Sequence, residues 1–294
     1  MTEGDGTGMA TCEVCFRRCR LAEGRTGACG ARICRAGTVQ PVFYGRLSSL
    51  ALDPIEKKPL NHFYPGSRIL SAGSLGCNLH CAFCQNHEIA QADGNGQFSA
   101  ATDEVSPGKL VEIAEYYRKK GNIGIAFTYN EPLVGYEYVR DTAKLAHEKG
   151  LKCVLVTNGT AALPVLEEIA PYIDAMNIDL KGFTDRYYRE VLQGDRQMTM
   201  AFIREAVKRC HVELTTLIVP GENDSREEIR EISEWIAGLQ DLYGGKPGRD
   251  IPLHISRFFP RYRMTDRGPT DVRVIYELAE EARHSLHYVH PGNC

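Results

Sequence analysis

The sequence lacks the features of a secreted, membrane-spanning or strongly basic protein. Its 294 residues contain no apolar run of about 18 residues, the length that a membrane-spanning helix needs. The opening MTEGDGTGMATC has neither the basic nor the apolar segment of a secretory signal. Thirty-five basic and 38 acidic residues give a formal net charge of −3, which disfavours a basic nucleic-acid-binding domain. We therefore expect a cytoplasmic chain with no membrane partner.

Cysteine, by contrast, is abundant, with 11 residues. Thiols stay reduced in the cytoplasm, so this number indicates metal or redox chemistry rather than disulfides. Eight of the cysteines lie in the first 84 residues, in two groups. Cys153 and Cys210 fall in apolar or helical patterns and are interpreted as packing residues. Cys294, the last residue, receives no assignment.

Short apolar runs alternate with amphipathic segments from residue 68 onward. The runs are 68–76, 123–129, 151–158, 174–180, 212–219 and 251–258. The segments between them have helical apolar spacing, and two of them end at glycines, Gly121 and Gly150. Such alternation predicts a parallel sheet covered by helices. Six βα units in about 220 residues predict an α/β fold with a partial (β/α)6 TIM-like barrel, because a full barrel typically needs about 250.

The first 45 residues differ from the rest, being rich in Cys, Arg and Gly and too poor in apolar periodicity to form a core. We divide the chain into a metal-binding segment, 1–45, and a barrel, 46–294. The segment's ligand candidates are Cys12, Cys15, Cys19 and Cys29, with Cys34 as an alternative fourth ligand. Zinc and a second iron–sulfur cluster both agree with this spacing. A structural role is the default, because a small segment gains folding energy from its metal.

A second group, Cys77, Cys81 and Cys84, has the spacing C-x3-C-x2-C and directly follows the first barrel strand. A [4Fe–4S] cluster has four irons, so three thiolates leave one iron open to an outside ligand. A structural zinc site needs four protein ligands. The alternative is therefore a zinc loop completed by His80 or His87.

Polar residues follow the next two strands, where a parallel barrel carries its chemistry. Glu131 lies in TYNEP after the second strand, and Asn158 lies in TNG after the third. As an alternative, Glu131 interacts with a helix N-terminus. Asn158 is the weaker candidate, since Asn-Gly is also an ordinary turn signal.

The later strands also end in polar residues. Asp179 and Lys181 close the fourth strand at i and i+2, so they share one side of it, and a simple ion pair is the alternative to a functional role. His254 lies within the sixth strand, where it is either a ligand-contacting residue or a satisfied core histidine. The Arg-rich loop 257–266 is either a clamp for an anionic or peptide substrate or a solvated surface loop.

The cysteine motif, with the aromatic Phe83 before its last cysteine, resembles the radical S-adenosylmethionine (SAM) superfamily. The further segments CEVCFRRCRLAEGRTGACGAR, TYNEP, DLK and HISRFFPRYRMTD extend the likeness over nearly the whole chain. Together they resemble the pyruvate formate-lyase activating enzyme-like group, in particular the radical SAM enzyme of the AmmeMemoRadiSam system.

The resemblance implies a [4Fe–4S] cluster on Cys77, Cys81 and Cys84, with SAM chelated to its open iron. Glu131 matches the acid that holds the SAM ammonium group, Lys181 lies near the carboxylate, and Asp179 lies near the ribose. The full set of implied SAM contacts is Phe83, Asn130, Glu131, Asn158, Asp179, Lys181 and His254.

The implied reaction is reductive cleavage of SAM to methionine and a 5′-deoxyadenosyl radical, which abstracts hydrogen from a substrate. In the resembled group that substrate is a glycine of a partner protein, and flavodoxin or ferredoxin is the implied electron donor. The alternatives are a non-catalytic iron–sulfur or zinc scaffold or carrier and a radical SAM enzyme that modifies RNA or protein. RNA is disfavoured, since the chain shows no pattern of stacking aromatics.

Overall fold

The computed structural model describes residues 9–93 and 97–294. Two antiparallel hairpins form the N-terminal segment. Their strands are β1 (Met9–Thr11), β2 (Arg20–Ala22), β3 (Arg32–Arg35) and β4 (Thr38–Pro41).

The remaining strands belong to the barrel and its edges. They are β5 (Arg46–Leu47), β6 (Ser49–Pro54), β7 (Arg68–Gly73), β8 (Asp103–Glu104), β9 (Asn122–Phe127), β10 (Lys152–Thr157), β11 (Ala175–Asp179), β12 (His211–Ile218), β13 (Leu253–Arg257) and β14 (Val289–Gly292). The α-helices are α1 (His87–Ala90), α2 (Pro107–Tyr116), α3 (Tyr136–Glu148), α4 (Leu163–Ile169), α5 (Arg196–Ala206), α6 (Arg226–Ala237) and α7 (Val272–Arg283). Short 3-10 turns occupy Ile55–Lys57, Tyr117–Lys120, Pro132–Gly135, Ala170–Tyr172, Tyr243–Gly245 and Gly248–Asp250, and Tyr187–Val191 is a π-helical turn.

One eight-stranded sheet organises the barrel, in the order β14-β13-β12-β11-β10-β9-β7-β6. All neighbours pair in parallel except β6, which runs antiparallel to β7. Each of the predicted six strands is present, and helices α2 to α7 follow them one by one. The predicted partial α/β barrel is therefore confirmed.

The two edge strands, β6 and β14, are additions to the predicted set. The sequence of β6, SLALDP, is short and ends in proline, and its Leu50 is 41% exposed in the structure. The sequence of β14, VHPG, contains Pro and Gly, which sheets tolerate at an edge. Both sequences thus have the weak strand pattern expected of an edge strand, which pairs with a neighbouring strand on one side only.

The helices owe their positions to apolar stripes and polar caps. In α6, Ile229, Ile232 and Ile236 recur at three- and four-residue spacing and are fully buried. Ser225 begins this helix by accepting a hydrogen bond from the Glu228 backbone N at 3.2 Å. Along the part of the chain that the structure describes, no helix is both long and apolar enough to cross a bilayer.

The base of the barrel, at the N-terminal ends of the parallel strands, is closed by the loop 55–67. Its side chains pack on buried residues of the sheet; this cluster is Ile55, Leu60, Phe63, Ile69, Ala126, Val154 and Ala175. The opposite end, which we call the mouth, is formed by the residues that follow the parallel strands. Any ligand site of the barrel is therefore expected there.

The N-terminal segment packs on the barrel rather than standing apart from it. Cys12 and Val14 belong to the main apolar core, and the Val14 carbonyl accepts a hydrogen bond from the Ala162 backbone N at 2.9 Å. Arg32 forms a nearly buried ion pair with Glu137 of α3 at 2.7 Å. The boundary between residues 45 and 46 remains a prediction.

Candidate active site

A cavity of about 360 Å³ opens at the mouth of the barrel. Every parallel strand from β7 to β13 contributes to it, either by its last residues or by the loop that follows. The lining includes Lys57, Lys58, Cys77, Cys81, Phe83, Cys84, Tyr129, Asn130, Glu131, Thr157, Asn158, Asp179, Lys181, Thr215, Ser256 and Asn293. All but one of the residues assigned from the sequence to the cluster and SAM therefore share one space.

The loop Cys77–Cys84, called here the cysteine loop, presents three free thiols to this cavity. Burial raises the pKa of all three, that of Cys81 to about 12, so in the absence of a metal these groups are protonated. Metal binding must then displace their protons.

Gly76 positions the cysteine loop against the N-terminal segment. Its φ of +94° suits glycine, and a Cβ there would lie 2.7 Å from both the Cys29 carbonyl oxygen and the Ala31 Cβ. A larger residue is therefore excluded at the position immediately before Cys77.

The zinc alternative for the cysteine loop finds no support in the geometry. Neither His80 nor His87 is among the described residues that line the cavity. A zinc ion with bonds of about 2.3 Å to sulfur draws its ligands within about 4 Å of one another. Over residues 9–93 and 97–294, no three His, Cys, Asp or Glu side chains are arranged to enclose a single metal ion.

Glu131 is the most unusual group at the mouth, because its carboxylate is buried without a counter-ion. Oε1 accepts hydrogen bonds from Leu133 N at 3.1 Å and Thr157 Oγ1 at 2.7 Å, and Oε2 accepts one from Asn158 N at 2.8 Å. All three donors are neutral, and no cationic side chain among the described residues pairs with it. Burial therefore raises the pKa of Glu131 to about 7.

Asp179 and Lys181 form an ion pair at the cavity wall, with Nζ 2.7 Å from Oδ2. Burial alone would lower the pKa of Lys181, but the Asp179 carboxylate and the nearby Cys81 thiol outweigh it and raise that pKa. The two residues form an ion pair and also line the cavity. The ion pair therefore does not exclude a role in contacting a ligand.

Two asparagines hold the loops of the mouth together. Asn130 accepts a hydrogen bond from Ser74 N at 3.0 Å and donates one to the Gly76 carbonyl at 3.0 Å. The Asn158 Nδ2 donates to Asn78 Oδ1 at 2.9 Å and lies 3.6 Å from Cys77 Sγ. Both residues also line the cavity, so they fix the loops that any ligand would contact.

Phe83 reaches the cavity from the cysteine loop. Its ring is buried and meets Phe258 edge-on, at 6.1 Å between centroids. The substrate-loop candidate, 257–266, packs on the same loop: Arg263 N donates to the Ala82 carbonyl at 2.9 Å, and the Tyr262 ring stacks on His87 at 4.6 Å. This segment therefore lies beside the cysteine loop rather than apart from it.

Two of the sequence-based candidates lie elsewhere. His254 is outside the described lining of the cavity; its Nε2 lies 2.7 Å from Glu213 Oε2, within the polar base of the barrel. Its early position in β13 explains this, because only the C-terminal ends of the strands reach the mouth. Cys34 packs in a small apolar cluster with Ala10 and Leu21, on which Cys19 also packs, and it does not line the pocket of Cys12, Cys15, Cys19 and Cys29. The assignment of His254 to the cofactor and that of Cys34 as an alternative metal ligand stay predictions.

Sequence reasoning missed a polar group that lines the cavity from the side of the loop 55–67. Lys58 Nζ lies 2.8 Å from Asp53 Oδ2, and the same oxygen accepts a hydrogen bond from the Tyr129 hydroxyl at 2.7 Å. Tyr129 adopts a φ of +74°, which is rare for a residue with a side chain. The available signal was a pair of lysines between prolines in DPIEKKP.

Three free thiols, a buried unpaired carboxylate and a Lys–Asp pair around one cavity at the mouth define a cofactor-binding enzyme of the partial-barrel class. A family model described as the Radical SAM superfamily matches residues 73–236. The chain belongs to this superfamily, and its membership implies a [4Fe–4S] cluster and SAM as cofactors.

Individual relatives agree with this assignment. An uncharacterised protein of Methanocaldococcus jannaschii is 38% identical over 96% of this chain and 80% of its own length. The pyruvate formate-lyase-activating enzyme of Clostridium pasteurianum is 27% identical over 57% of this chain and 68% of its own. These matches support the pyruvate formate-lyase activating enzyme-like group.

Among solved structures, Streptococcus suis SuiB bound to S-adenosylmethionine has a TM-score of 0.56. It is 14% identical and covers 75% of this chain and 49% of its own. At that identity the likeness concerns the fold alone.

Proposed function

We propose that this protein cleaves SAM reductively at the mouth of the barrel, with Cys77, Cys81 and Cys84 as ligands of the [4Fe–4S] cluster. The observation that carries the proposal is the carboxylate of Glu131, which lines the cavity with three neutral donors and no cation. A buried carboxylate in that state favours a positively charged ligand. The ammonium group of the methionine part of SAM has that charge.

The other residues of the mouth fit the remaining parts of such a ligand. Lys181, with its ammonium group at the cavity wall, suits a carboxylate, and Asp179 accepts hydrogen bonds of the kind that ribose hydroxyls donate. Asn158 orients both Glu131, through its backbone N, and Cys77, through its side chain.

When bound and reduced, the cluster supplies one electron that breaks the S–C5′ bond of SAM, releasing methionine and a 5′-deoxyadenosyl radical. The chain's own part is to hold the reactants and to exclude water around them. Phe83 and Leu79 are buried beside the three thiols, which keeps solvent away from that side of the cavity.

For the substrate, the proposal is a glycine of a partner protein, from which the radical takes a hydrogen atom. This part draws on the similarity to enzymes named as activating enzymes, including those for pyruvate formate-lyase and indoleacetate decarboxylase. A low-potential one-electron carrier such as flavodoxin or ferredoxin is the proposed reductant.

The test of SAM cleavage is anaerobic reconstitution with iron and sulfide, followed by SAM and dithionite, with 5′-deoxyadenosine measured by mass spectrometry. Wild-type protein should form this product. Cys84→Ala should form none and lose the iron of the cysteine loop, while its circular dichroism stays that of a folded protein, because the barrel core does not include Cys84.

The matched control is Cys153→Ala, which removes a thiol that is fully buried in the core. It should retain both iron and product formation. If wild-type protein with a full complement of iron and sulfide forms no 5′-deoxyadenosine, the proposal is wrong and the scaffold alternative gains.

The substrate is tested by adding fractions of an anaerobic extract from cells that express the protein. A glycine in a partner protein predicts that the macromolecular fraction raises 5′-deoxyadenosine formation and acquires a carbon-centred radical signal in electron paramagnetic resonance. Stimulation by the small-molecule fraction alone would contradict this part of the proposal and leave SAM cleavage intact.

A further inference from the structure

The N-terminal segment contains a second group of thiols that the reaction at the mouth does not use. Cys12, Cys15, Cys19 and Cys29 are all free and line one small interior pocket, which we call the four-cysteine pocket. Although they are spread over 18 positions of the chain, the two hairpins bring them together. Cys12, Cys15 and Cys29 are buried, and Cys19 is partly buried.

The wall of this pocket also carries an unpartnered donor. Arg32 is 5% exposed, and its Nη1 lies 2.7 Å from both carboxylate oxygens of Glu137. Its Nε, by contrast, has no hydrogen-bond partner within the described residues. A buried N–H without an acceptor is energetically costly, so we expect an anionic occupant of the pocket to accept the hydrogen bond of the Arg32 Nε.

The arrangement suits a polynuclear centre better than a single ion. The thiols share one pocket, and among the described residues no group of three His, Cys, Asp or Glu side chains has the arrangement of a single-ion site. Four thiolates are the standard ligand set of iron–sulfur clusters, and the assembled centre is anionic. Arg32 then supplies the positive charge and hydrogen bond that commonly surround such a centre.

The four-cysteine pocket is joined directly to the cysteine loop. Arg17, which lies between two of the pocket's cysteines, donates from Nε to the Asn78 carbonyl at 2.7 Å. The side chain of Asn78 is near enough to Cys15 to lower its pKa through a hydrogen bond, although burial has the larger, opposite effect. On its other side Asn78 accepts the bond from Asn158, which also reaches Cys77.

We propose that Cys12, Cys15, Cys19 and Cys29 hold a second iron–sulfur cluster, with Arg32 as its charge-compensating neighbour, and that this cluster passes electrons to the cluster at the mouth. One electron from an external low-potential carrier reduces the second cluster. The same electron then moves past Asn78 to the first cluster, and no proton or further co-reactant is needed. The site assignment stands independently of SAM cleavage; the electron transfer depends on the proposed function.

The site is tested in a variant that lacks the first cluster, Cys77→Ala/Cys81→Ala/Cys84→Ala, reconstituted anaerobically with iron and sulfide. This protein should retain iron and sulfide in equal numbers, with the visible absorption of an iron–sulfur cluster. In the complementary variant, Cys12, Cys15, Cys19 and Cys29 are changed to alanine. This protein should lose the iron and sulfide of the second cluster and keep those of the first cluster. Zinc without sulfide, or no metal in a triple variant that is folded by circular dichroism, overturns the proposal.

The role of Arg32 is tested in the same triple variant by redox titration. Arg32→Met should lower the midpoint potential of the second cluster, because removing a nearby positive charge disfavours the added electron. Glu137→Gln removes the opposing charge and should move the potential upward. Equal midpoint potentials in both variants would show that Arg32 is not a charge-compensating neighbour of the second cluster.

Electron transfer is tested in protein that carries both clusters, by comparing reduction by flavodoxin with reduction by dithionite. Changing the four N-terminal cysteines to alanine should slow cleavage driven by flavodoxin much more than cleavage driven by dithionite. An equal loss with both reductants contradicts the relay, and metal analysis of the same samples shows whether the first cluster is intact.

Discussion

Two buried glutamates at opposite ends of the barrel have opposite surroundings. At the mouth, Glu131 accepts three hydrogen bonds from neutral donors, and burial raises its pKa to about 7. At the base, Glu213 is enclosed by two histidines and two backbone N–H groups. Burial alone would raise the pKa of Glu213, but hydrogen bonds from His211 and His254 outweigh it and lower the value to about 2.

The difference separates a structural polar cluster from a ligand site. The base satisfies its carboxylate entirely with its own groups, tying β12 and β13 to the loop 55–67. The mouth leaves its carboxylate without a counter-charge next to a cavity. Burial by itself is common to both, so what distinguishes Glu131, the glutamate proposed to bind SAM, is its lack of a positively charged partner among the described residues.

The largest expected effect comes from removing the carboxylate at the base. Glu213→Ala leaves two histidines and two backbone N–H groups without their acceptor, and we expect a loss of about 3–5 kcal/mol in the free energy of unfolding. Urea denaturation followed by circular dichroism measures it. Glu131→Ala is the matched variant at the mouth; a larger loss there than at the base would reverse the comparison.

The next effect concerns ligand binding at the mouth. Glu131→Gln keeps the shape but removes the charge, and loss of a hydrogen bond to a charged group costs about 1.5–3 kcal/mol. We expect SAM to bind about 10- to 100-fold more weakly, as measured by anaerobic calorimetry. Glu213→Gln should bind SAM as the wild type does, provided that it remains folded; unchanged affinity in Glu131→Gln would break the assignment.

The two carboxylates also predict opposite pH dependences in the protein without SAM. The Glu213 pKa lies below its ordinary value of 4.5, so its stabilising contribution is present above that pH and is lost as the pH falls towards 2. The Glu131 pKa lies above 4.5, so its contribution is present below that pH and is lost as the pH rises through about 7. Each slope is at most about 1.4 kcal/mol per pH unit.

Unfolding free energies measured from pH 2 to 8 check this prediction. Glu131→Gln should flatten the part of the curve between pH 5 and 8 and leave the acid limb unchanged. SAM affinity in the wild type should rise over the same interval, because the ionised carboxylate is the form that binds an ammonium group. A wild-type affinity independent of pH between 6 and 8 contradicts the role of Glu131.

The smallest effect tests a third acid, Asp53, which is partly buried. Burial would raise its pKa, but Lys58 and Tyr129 together lower it to about 2. Tyr129→Phe removes one hydrogen bond and leaves the ion pair with Lys58, so we expect a loss of about 1 kcal/mol in unfolding free energy. A loss above about 3 kcal/mol in the free energy of unfolding would show that the substitution also disturbs the strained backbone at Tyr129 and does not only remove this hydrogen bond.

Much of the mouth was predictable because its residues follow the strands in order. Parallel strands end at one edge, so Glu131, Asn158, Asp179 and Lys181 meet there once the strands are recognised. For His254 the apolar pattern of its strand could not show how far along the strand the residue lies, and in the structure it pairs with Glu213 outside the described lining of the cavity. Lys58 was missed because it follows an edge strand whose pattern is weak.

The sequence by itself determined the spacing of Cys77, Cys81 and Cys84, the number of βα units and the end of the barrel at which the candidate site lies. These depend on local spacing and on the periodicity of each strand and helix. The tertiary structure alone decided which carboxylate is paired and which is not, since Glu213 meets His254 across 41 positions and His62 across 151. It likewise brought Arg32 to the four-cysteine pocket and Asn78 between the two groups of thiols. Charge compensation in a buried site depends on such distant neighbours, and no local pattern specifies them.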